Sequence, residues 1–337
     1  MLLLKLLAGH LNTYRREKLL HSAIDGLSRR GMAARWALSL LNVTLRARRL
    51  AYIHLALRGR RIRSRIRYAQ SRRGLPAQPS KIRTLSLLCP TRARVRNLRT
   101  FIRSVCATAA VPERVEILFY IDEDDPDRES YIRYFKASAR AHNSLLRCAP
   151  IIGPPIGISK AWTVLARHTT ADLLLMANDD QFYVDYGWDT EVDRACDAYP
   201  DDIVCLYFDG RKREKIIEGL PKGDFPIVTR KWFDIVGHFT PGIFKFWCNE
   251  LWILDIAERI GRSHPIPGVF VDHLHYDAYK SPFDETYRRP HVSGDKSNRD
   301  RELYAETAIE RMKAAVKLNR AIRAAAGVAT ATPANVE

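Results

Sequence analysis

This sequence predicts an open α/β fold, a mostly parallel sheet with helices on both faces. Three observations lead there. From Lys81 onward, short apolar runs alternate with segments whose apolar residues recur at helical spacing. The runs Thr84–Cys89, Val115–Ile121 and Leu173–Ala177 are dominated by apolar residues, as in strands buried on both faces. They run into polar groups: Pro90-Thr91-Arg92, Asp122, and Asn178-Asp179-Asp180. Open α/β sheets collect ligands at such carboxyl ends of strands.

The elements follow in order. Thr84–Cys89 reads as a strand closed by Pro90, and a helix follows with Leu98, Phe101, Ile102 and Val105 on one face. Val115–Ile121 is the second strand, then a helix around Tyr131–Ala141. Ser159–Ala166 is a short helix before the strand Leu173–Ala177. Ile203–Phe208 and Phe225–Val228 read as further strands. Arg230–Val236 and Asn249–Ile260 are helices, stopped by Gly237 and Gly261, residues suited to a left-handed cap. Gly268–Val271 is a late strand and 300–325 one long helix. The expected organisation is a basic helical extension over 1–75, a linker over 76–82, the α/β domain over 83–298, a C-terminal helix over 299–325 and a disordered tail over 326–337.

The charge is uneven. Residues 1–80 hold 18 Lys and Arg against Glu17 and Asp25, a net +16, while residues 81–337 carry only +1. Leu38, Leu41 and Leu45 recur at helical spacing, and the run from Arg58 to Arg67 is densely basic. Such a helical extension suits an anionic membrane surface, or packs on the main domain with its basic face solvated. Nucleic acid would be attracted by the same charge. A nucleic-acid-binding role, though, leaves the near-neutral domain and its strand-end acids unexplained. The six cysteines form no C-x-x-C pair, which suits free thiols in a reducing compartment. No apolar stretch reaches the roughly 18 residues that span a bilayer. A cytoplasmic protein is expected, peripheral at the inner membrane face.

Two adjacent carboxylates, Asp179 and Asp180, repel unless a cation or a set of donors neutralises them. A hard divalent metal with a phosphate-bearing ligand would do so. The loop Cys89-Pro90-Thr91-Arg92-Ala93-Arg94 offers a hydroxyl, backbone N–H groups and guanidiniums to a diphosphate or base, or it is a solvated turn with Thr91 as helix cap. Asp122 is placed to accept hydrogen bonds from a ribose or base. Glu123, Asp124 and Asp127 read as a soluble loop, and Trp162 as core.

Taken as a set, Cys89-Pro90-Thr91-Arg92, Tyr120-Ile121-Asp122 and Asn178-Asp179-Asp180 resemble the motifs of the GT-A glycosyltransferases, the family-2-like group in particular. The resemblance covers about residues 81–285 and implies a GT-A-like (Rossmann-like) domain using Mn²⁺ or Mg²⁺ and a nucleotide-sugar donor. It implies that Pro90, Thr91, Arg92, Asp122, Asn178 and Asp179 contact the nucleotide and that Asp180 binds the metal. The motif departs from the family at Asn178, where an acid is usual. Gly157–Thr163 resembles the family's next helix, with Lys160 reaching the nucleotide; Thr163 departs from a frequent Asn. Phe246–Trp252 resembles the acceptor side, with Glu250 as general base for an inverting transfer. Asp272-His273-Leu274-His275-Tyr276 resembles the late metal-site segment, with His273 as ligand. Lys280, Arg288 and Arg289 would close over the diphosphate. The implied activity is sugar transfer to a hydroxyl on a glycan or lipid-linked glycan. A nucleotidyltransferase is the alternative enzyme, but it ordinarily needs a glycine-rich phosphate loop, and Cys89–Arg99 holds no glycine.

Overall fold

The structure, a computed structural model, describes residues 43, 44, 47, 50–71, 81–138, 144–208, 223–275, 280, 281, 284–287 and 296–327. Most of the predicted extension and linker, Tyr276, Arg288, Arg289 and residues 328–337 of the predicted tail lie outside these residues. Two compact units are present: Met1–Arg63 with His273–Asp284, and Ser64–Asp272 with Glu285–Glu337.

In the smaller unit, a π-helical stretch, Tyr52–Leu57, runs into the start of α1 (Arg58–Ser71), and Leu57 is buried. Lys280 Nζ lies 5.1 Å from the centre of the Tyr52 ring. His273 and His275 stand ring to ring, 5.0 Å apart, as expected of alternate residues on an extended segment.

The larger unit holds the predicted α/β fold. Its elements are β1 (Leu85–Thr91), α2 (Val95–Cys106), β2 (Val115–Asp122), α3 (Arg128–Ser138), β3 (Arg147–Gly153), α4 (Ile158–Arg167), β4 (Leu173–Met176), β5 (Gln181–Tyr183) and α5 (Trp188–Asp197). Then come β6 (Cys205–Phe208), β7 (Asp224–Thr229), α6 (Arg230–Val236), α7 (Asn249–Arg259), β8 (Ser263–Ile266), β9 (Val271–His273), α8 (Lys296–Glu306) and α9 (Ala308–Ala325). Seven strands form one sheet in the order β3-β2-β1-β4-β7-β6-β8. All pairings are parallel except the two made by β7. β5 and β9 form a separate two-stranded sheet.

Alternation along the strands divides the core in two. Leu85, Leu87 and Cys89 face α2, α3 and α5 through Leu98, Phe101, Tyr131 and Trp188. Leu88, Leu174 and Met176 face the opposite way, toward Trp162 of α4, Trp232 of α6, Trp252 of α7 and Leu318 of α9. The chain moves outward from β1 to β2 and β3, then returns to place β4 on the other side of β1. The carboxyl ends of β1 and β4 are therefore a topological switch point, the place where open α/β sheets ordinarily bind ligands.

β1 continues through Pro90 to Thr91, pairing Pro90 with Tyr120 and Thr91 with Ile121, rather than closing at Pro90. Leu88 O accepts from Ala177 N at 2.9 Å, so the groups of Leu88 point toward β4. Pro90, two residues on, points the same way, past the last β4 pair at Met176. Its missing N–H breaks no ladder bond, and the indole N–H of Trp162 reaches Leu88 O at 3.0 Å and Ala177 O at 3.3 Å.

The other departures have local causes. β3 is an edge strand with Pro150 inside it and is partly exposed along its length, so it lacks a buried-strand signature. α5 is rich in acids that turn inward: Asp189 accepts from Ala110 N and Val111 N at 2.8 and 2.9 Å, and Asp193 pairs with Arg114. The late strand begins at Val271, because Gly268, at φ +77, sits in a turn. The C-terminal helix breaks at Thr307, whose φ and ψ of −96° and 24° end α8 before α9 starts. Within the larger unit, residues 64–71 of α1 lie on the domain. Ser64 Oγ accepts from Tyr186 N at 2.9 Å, Arg65 donates to Ala107 O at 2.9 Å, and the Tyr68 and Tyr186 rings meet at 5.1 Å.

Trp162→Phe keeps the ring but removes the N–H that reaches two strand carbonyls. Urea unfolding should show a loss of about 1–3 kcal/mol, the cost of a buried polar group left unmatched. A change inside error would assign the indole to packing alone.

Candidate functional site at the switch point

β4 ends at Met176, and the chain turns tightly through the acids: Gln181 N–H closes on Asn178 O at 3.1 Å and β5 begins. Asn178 is half-buried, whereas Asp179 and Asp180 are each only 5% exposed. Burying two adjacent carboxylates demands compensation. Arg94, 7% exposed, supplies it, with one nitrogen, Nη1, 3.1 Å from Asp179 Oδ1 and 3.4 Å from Asp180 Oδ2. Burial pushes the Asp179 carboxyl upward, Arg94 draws it back, and Asp180 adds to the upward push.

Hydroxyls complete the shell. Thr91 donates to Asp179 Oδ2 at 2.7 Å, and Tyr287 donates to Asp180 Oδ2 at 2.6 Å. The Tyr131 oxygen lies 3.1 Å from Thr91 Oγ1 and accepts from Arg94 N at 2.7 Å. Thr91 has one proton, spent on the carboxylate, so Tyr131 is the donor between the two hydroxyls. The Arg94 guanidinium also stacks 4.1 Å from the centre of the Tyr287 ring. Thr91 is thus a carboxylate partner rather than a helix cap; the N-cap position of α2 is Arg94.

Between the arginines, Ala93 takes φ +55, and its N–H is held by Asp125 Oδ2 at 3.0 Å. Arg92 turns the other way, donating to Asp122 Oδ2 at 2.9 Å and pairing with Asp124. Thr286 ties the same loop down by donating to Arg92 O at 2.9 Å. Thr91, Asp179 and Asp180 therefore share one hydrogen-bonded group with Arg94, while Arg92 and Asp122 form a second group on the other side of the same loop. Pro90 is part of β1 beneath it.

Lys160 is exposed on the first turn of α4 and packs against the loop at Gly242, where an added Cβ would meet its Cγ at 3.2 Å. The same loop is fixed by Thr163, whose hydroxyl accepts from Phe239 N and Thr240 N and donates to Thr240 O at 2.9 Å. That is the full capacity of one hydroxyl. Glu250 lies in the first turn of α7, after Cys248 at φ +66. Asp300 of α8, 2% exposed, braces the approach to it by accepting from Lys245, Phe246 and Trp247 N–H, each at 2.9 Å. His273 ends β9 and belongs to the smaller unit.

Among the described residues, no three His, Cys, Asp or Glu side chains gather into a ready metal cage. Asp179 and Asp180 are nonetheless hard oxygen donors that already share one positive nitrogen. Small divalent cations are commonly held by one or two carboxylates together with substrate phosphates. The donor set fits a cation of that kind.

Sequence reasoning missed Arg94 as the neutralising charge, and with it Tyr131, Tyr287, Asp125 and Asp300. Arg94 lies 85 residues from Asp179, a separation no local spacing encodes.

No protein-family model matches this chain, and no curated protein matches its sequence. Solved glycosyltransferase structures do match. The mannosyltransferase PcManGT from Pyrobaculum calidifontis, in complex with GDP-Man and Mn²⁺, is 13% identical over 85% of this chain and 88% of its own, with a TM-score of 0.48. TarS residues 1–349 from S. aureus, in complex with UDP, is 10% identical over 64% of this chain and 73% of its own, at 0.44. GalNAc-T7 with UDP, GalNAc and Mn²⁺ is 13% identical at 0.45, covering 57% of this chain and 43% of that one.

Asp300→Ala would strand three backbone donors. Calorimetry should show a loss of about 1–3 kcal/mol, because three part-buried donors lose their charged acceptor. Asp300→Asn should recover part of it, and equal stability of all three proteins would remove Asp300 from this role.

Proposed function

We propose that this chain is a nucleotide-sugar-dependent glycosyltransferase, assisted by a divalent cation and transferring to a hydroxyl with inversion. The observation that carries this reading is the buried Asp179–Asp180 pair at the switch point, facing a loop of hydroxyl, backbone and guanidinium groups. Asp179 and Asp180 hold the cation, and Asn178 adds an uncharged acceptor beside them. When bound, the cation stabilises charge on the departing diphosphate. Arg92 and Lys160 bind and orient the phosphates, Thr91 holds Asp179 in place, and Asp122 accepts hydrogen bonds from the ribose or base. Arg94 moves its charge from the carboxylates to the phosphates as the nucleotide enters. Glu250 takes the proton of the acceptor hydroxyl as that oxygen attacks the sugar. The acceptor is a glycan or lipid-linked glycan, with the basic extension held at an anionic membrane surface. Among the described residues, no helix is long and apolar enough to cross a membrane.

The test is a thermal-shift screen of nucleotide-sugars with and without Mn²⁺, because a ligand that binds only the folded state raises the melting temperature. Asp180→Ala should abolish the Mn²⁺-dependent shift. Arg94→Gln should melt lower without metal yet show a larger Mn²⁺ shift, its acid pair having lost the resident charge. Glu250→Gln should keep nucleotide-sugar binding and stop transfer. A Mn²⁺ shift unchanged in both Asp180→Ala and Arg94→Gln would sink the metal assignment, and normal turnover by Glu250→Gln would remove the base.

A further inference from the structure

A second basic feature lies on the outer side of α2 and α3, which pack side by side on one face of the sheet. A cleft of about 430 Å³ opens there, lined by Arg99, Arg103, Ser130, Arg133, Tyr134, Ala137 and Ser138. Three arginines and three hydroxyl-bearing residues line it, and no acid among the described residues does.

Structural pairing does not explain the charge. α2 contains no Asp or Glu, and Arg99, Arg103 and Arg133 make no ion pair among the described residues. The acid of α3, Glu129, is held by Arg128 at 3.1 Å. Arg99 and Arg103 sit four residues apart on one helix face, where like charges cost a few tenths of a kcal/mol. Arg103 lies in the last turn of α2, where a positive charge suits the helix dipole; Arg99 lies mid-helix and gains nothing from it.

The geometry leaves these groups ready for an anion. The Arg99 guanidinium lies 4.8 Å from the centre of the Tyr134 ring, so one of its flat faces is covered. A stacked guanidinium keeps its N–H groups at its edge, in the plane that binds phosphate oxygens two at a time. Arg133 is steadied by Ser130, donating to its Oγ at 3.1 Å. Tyr134 is buried, so the platform under Arg99 is fixed by the core.

We infer that the α2–α3 cleft is a binding site for a phosphate- or diphosphate-bearing anion, separate from the acid pair at the switch point. The bound group takes charge-assisted hydrogen bonds from Arg99, Arg103 and Arg133. Its source is a soluble phosphorylated molecule or an anionic lipid headgroup, which share this chemistry.

The experiment maps arginine reactivity. The full chain is treated with phenylglyoxal, and modified residues are quantified by mass spectrometry in three arms: buffer, inorganic pyrophosphate, and phosphatidylglycerol vesicles with phosphatidylcholine vesicles as control. Pyrophosphate should slow labelling of Arg99, Arg103 and Arg133 at least fivefold, with no change at Arg320 on the exposed face of α9. Protection by pyrophosphate identifies a soluble anion, and protection by phosphatidylglycerol vesicles alone identifies a headgroup. The triple variant R99Q/R103Q/R133Q should lose at least tenfold in affinity for the protecting ligand. The charge-matched K313Q/K317Q/R320Q should stay within twofold of the unmodified chain. Equal protection of Arg320, equal losses in both triple variants, or protection in no arm would overturn the site. Because the readout is residue by residue, pyrophosphate bound at the switch point changes none of these outcomes.

Discussion

The buried contact of Asp179 and Asp180 with Arg94 is the constraint on which the rest of this site depends. Two carboxylates 5% exposed at the end of a central strand are stable only while a positive charge stays with them. Every nearby feature serves that requirement. Thr91 and Tyr287 take up carboxylate oxygens, Tyr131 orients the Thr91 hydroxyl, and the Tyr287 ring stacks on the guanidinium. The neutralising charge sits on a loop side chain rather than on the sheet. A cation that took Arg94's place on this pair of acids would have to displace one side chain of a single loop.

Buried carboxylates recur here as braces for irregular backbone. Asp125 holds Ala93 N and Asp127 N, Asp189 holds Ala110 N and Val111 N, and Asp300 holds three consecutive N–H groups. A loop that leaves a sheet or enters a helix carries donors without ladder partners, and an ionised acid is the strongest acceptor for them. Placing these acids inside the fold lets the segments around the switch point be rigid without being regular.

The sheet was largely legible because burial on both faces leaves a dense apolar run, as in β1, β2 and β4. The placing of Asp122, Asp179 and Asp180 near strand ends was legible for the same reason, whereas β1 runs on through Pro90 to Thr91, past where its apolar run ends. β3 was not, because an edge strand with a proline has no such run. α5 was not, because its acids Asp189 and Asp193 are buried only through Arg114 and loop amides distant in sequence. Arg94 looked like one more basic loop residue. Its burial against acids 85 residues away is a product of tertiary packing, as is the brace that Asp300 gives to the segment before Glu250.

Ala93 has a wider consequence. A residue with a Cβ in the left-handed region gives up about 1 kcal/mol of backbone free energy. In return the chain reverses its twist between two arginines, so one faces the β2 acids and its neighbour the β4 acids. A torsion angle, rather than charge, thus decides which guanidinium serves which strand. Valine or isoleucine at this position would strain the reversed backbone further, while the count of charges stayed the same.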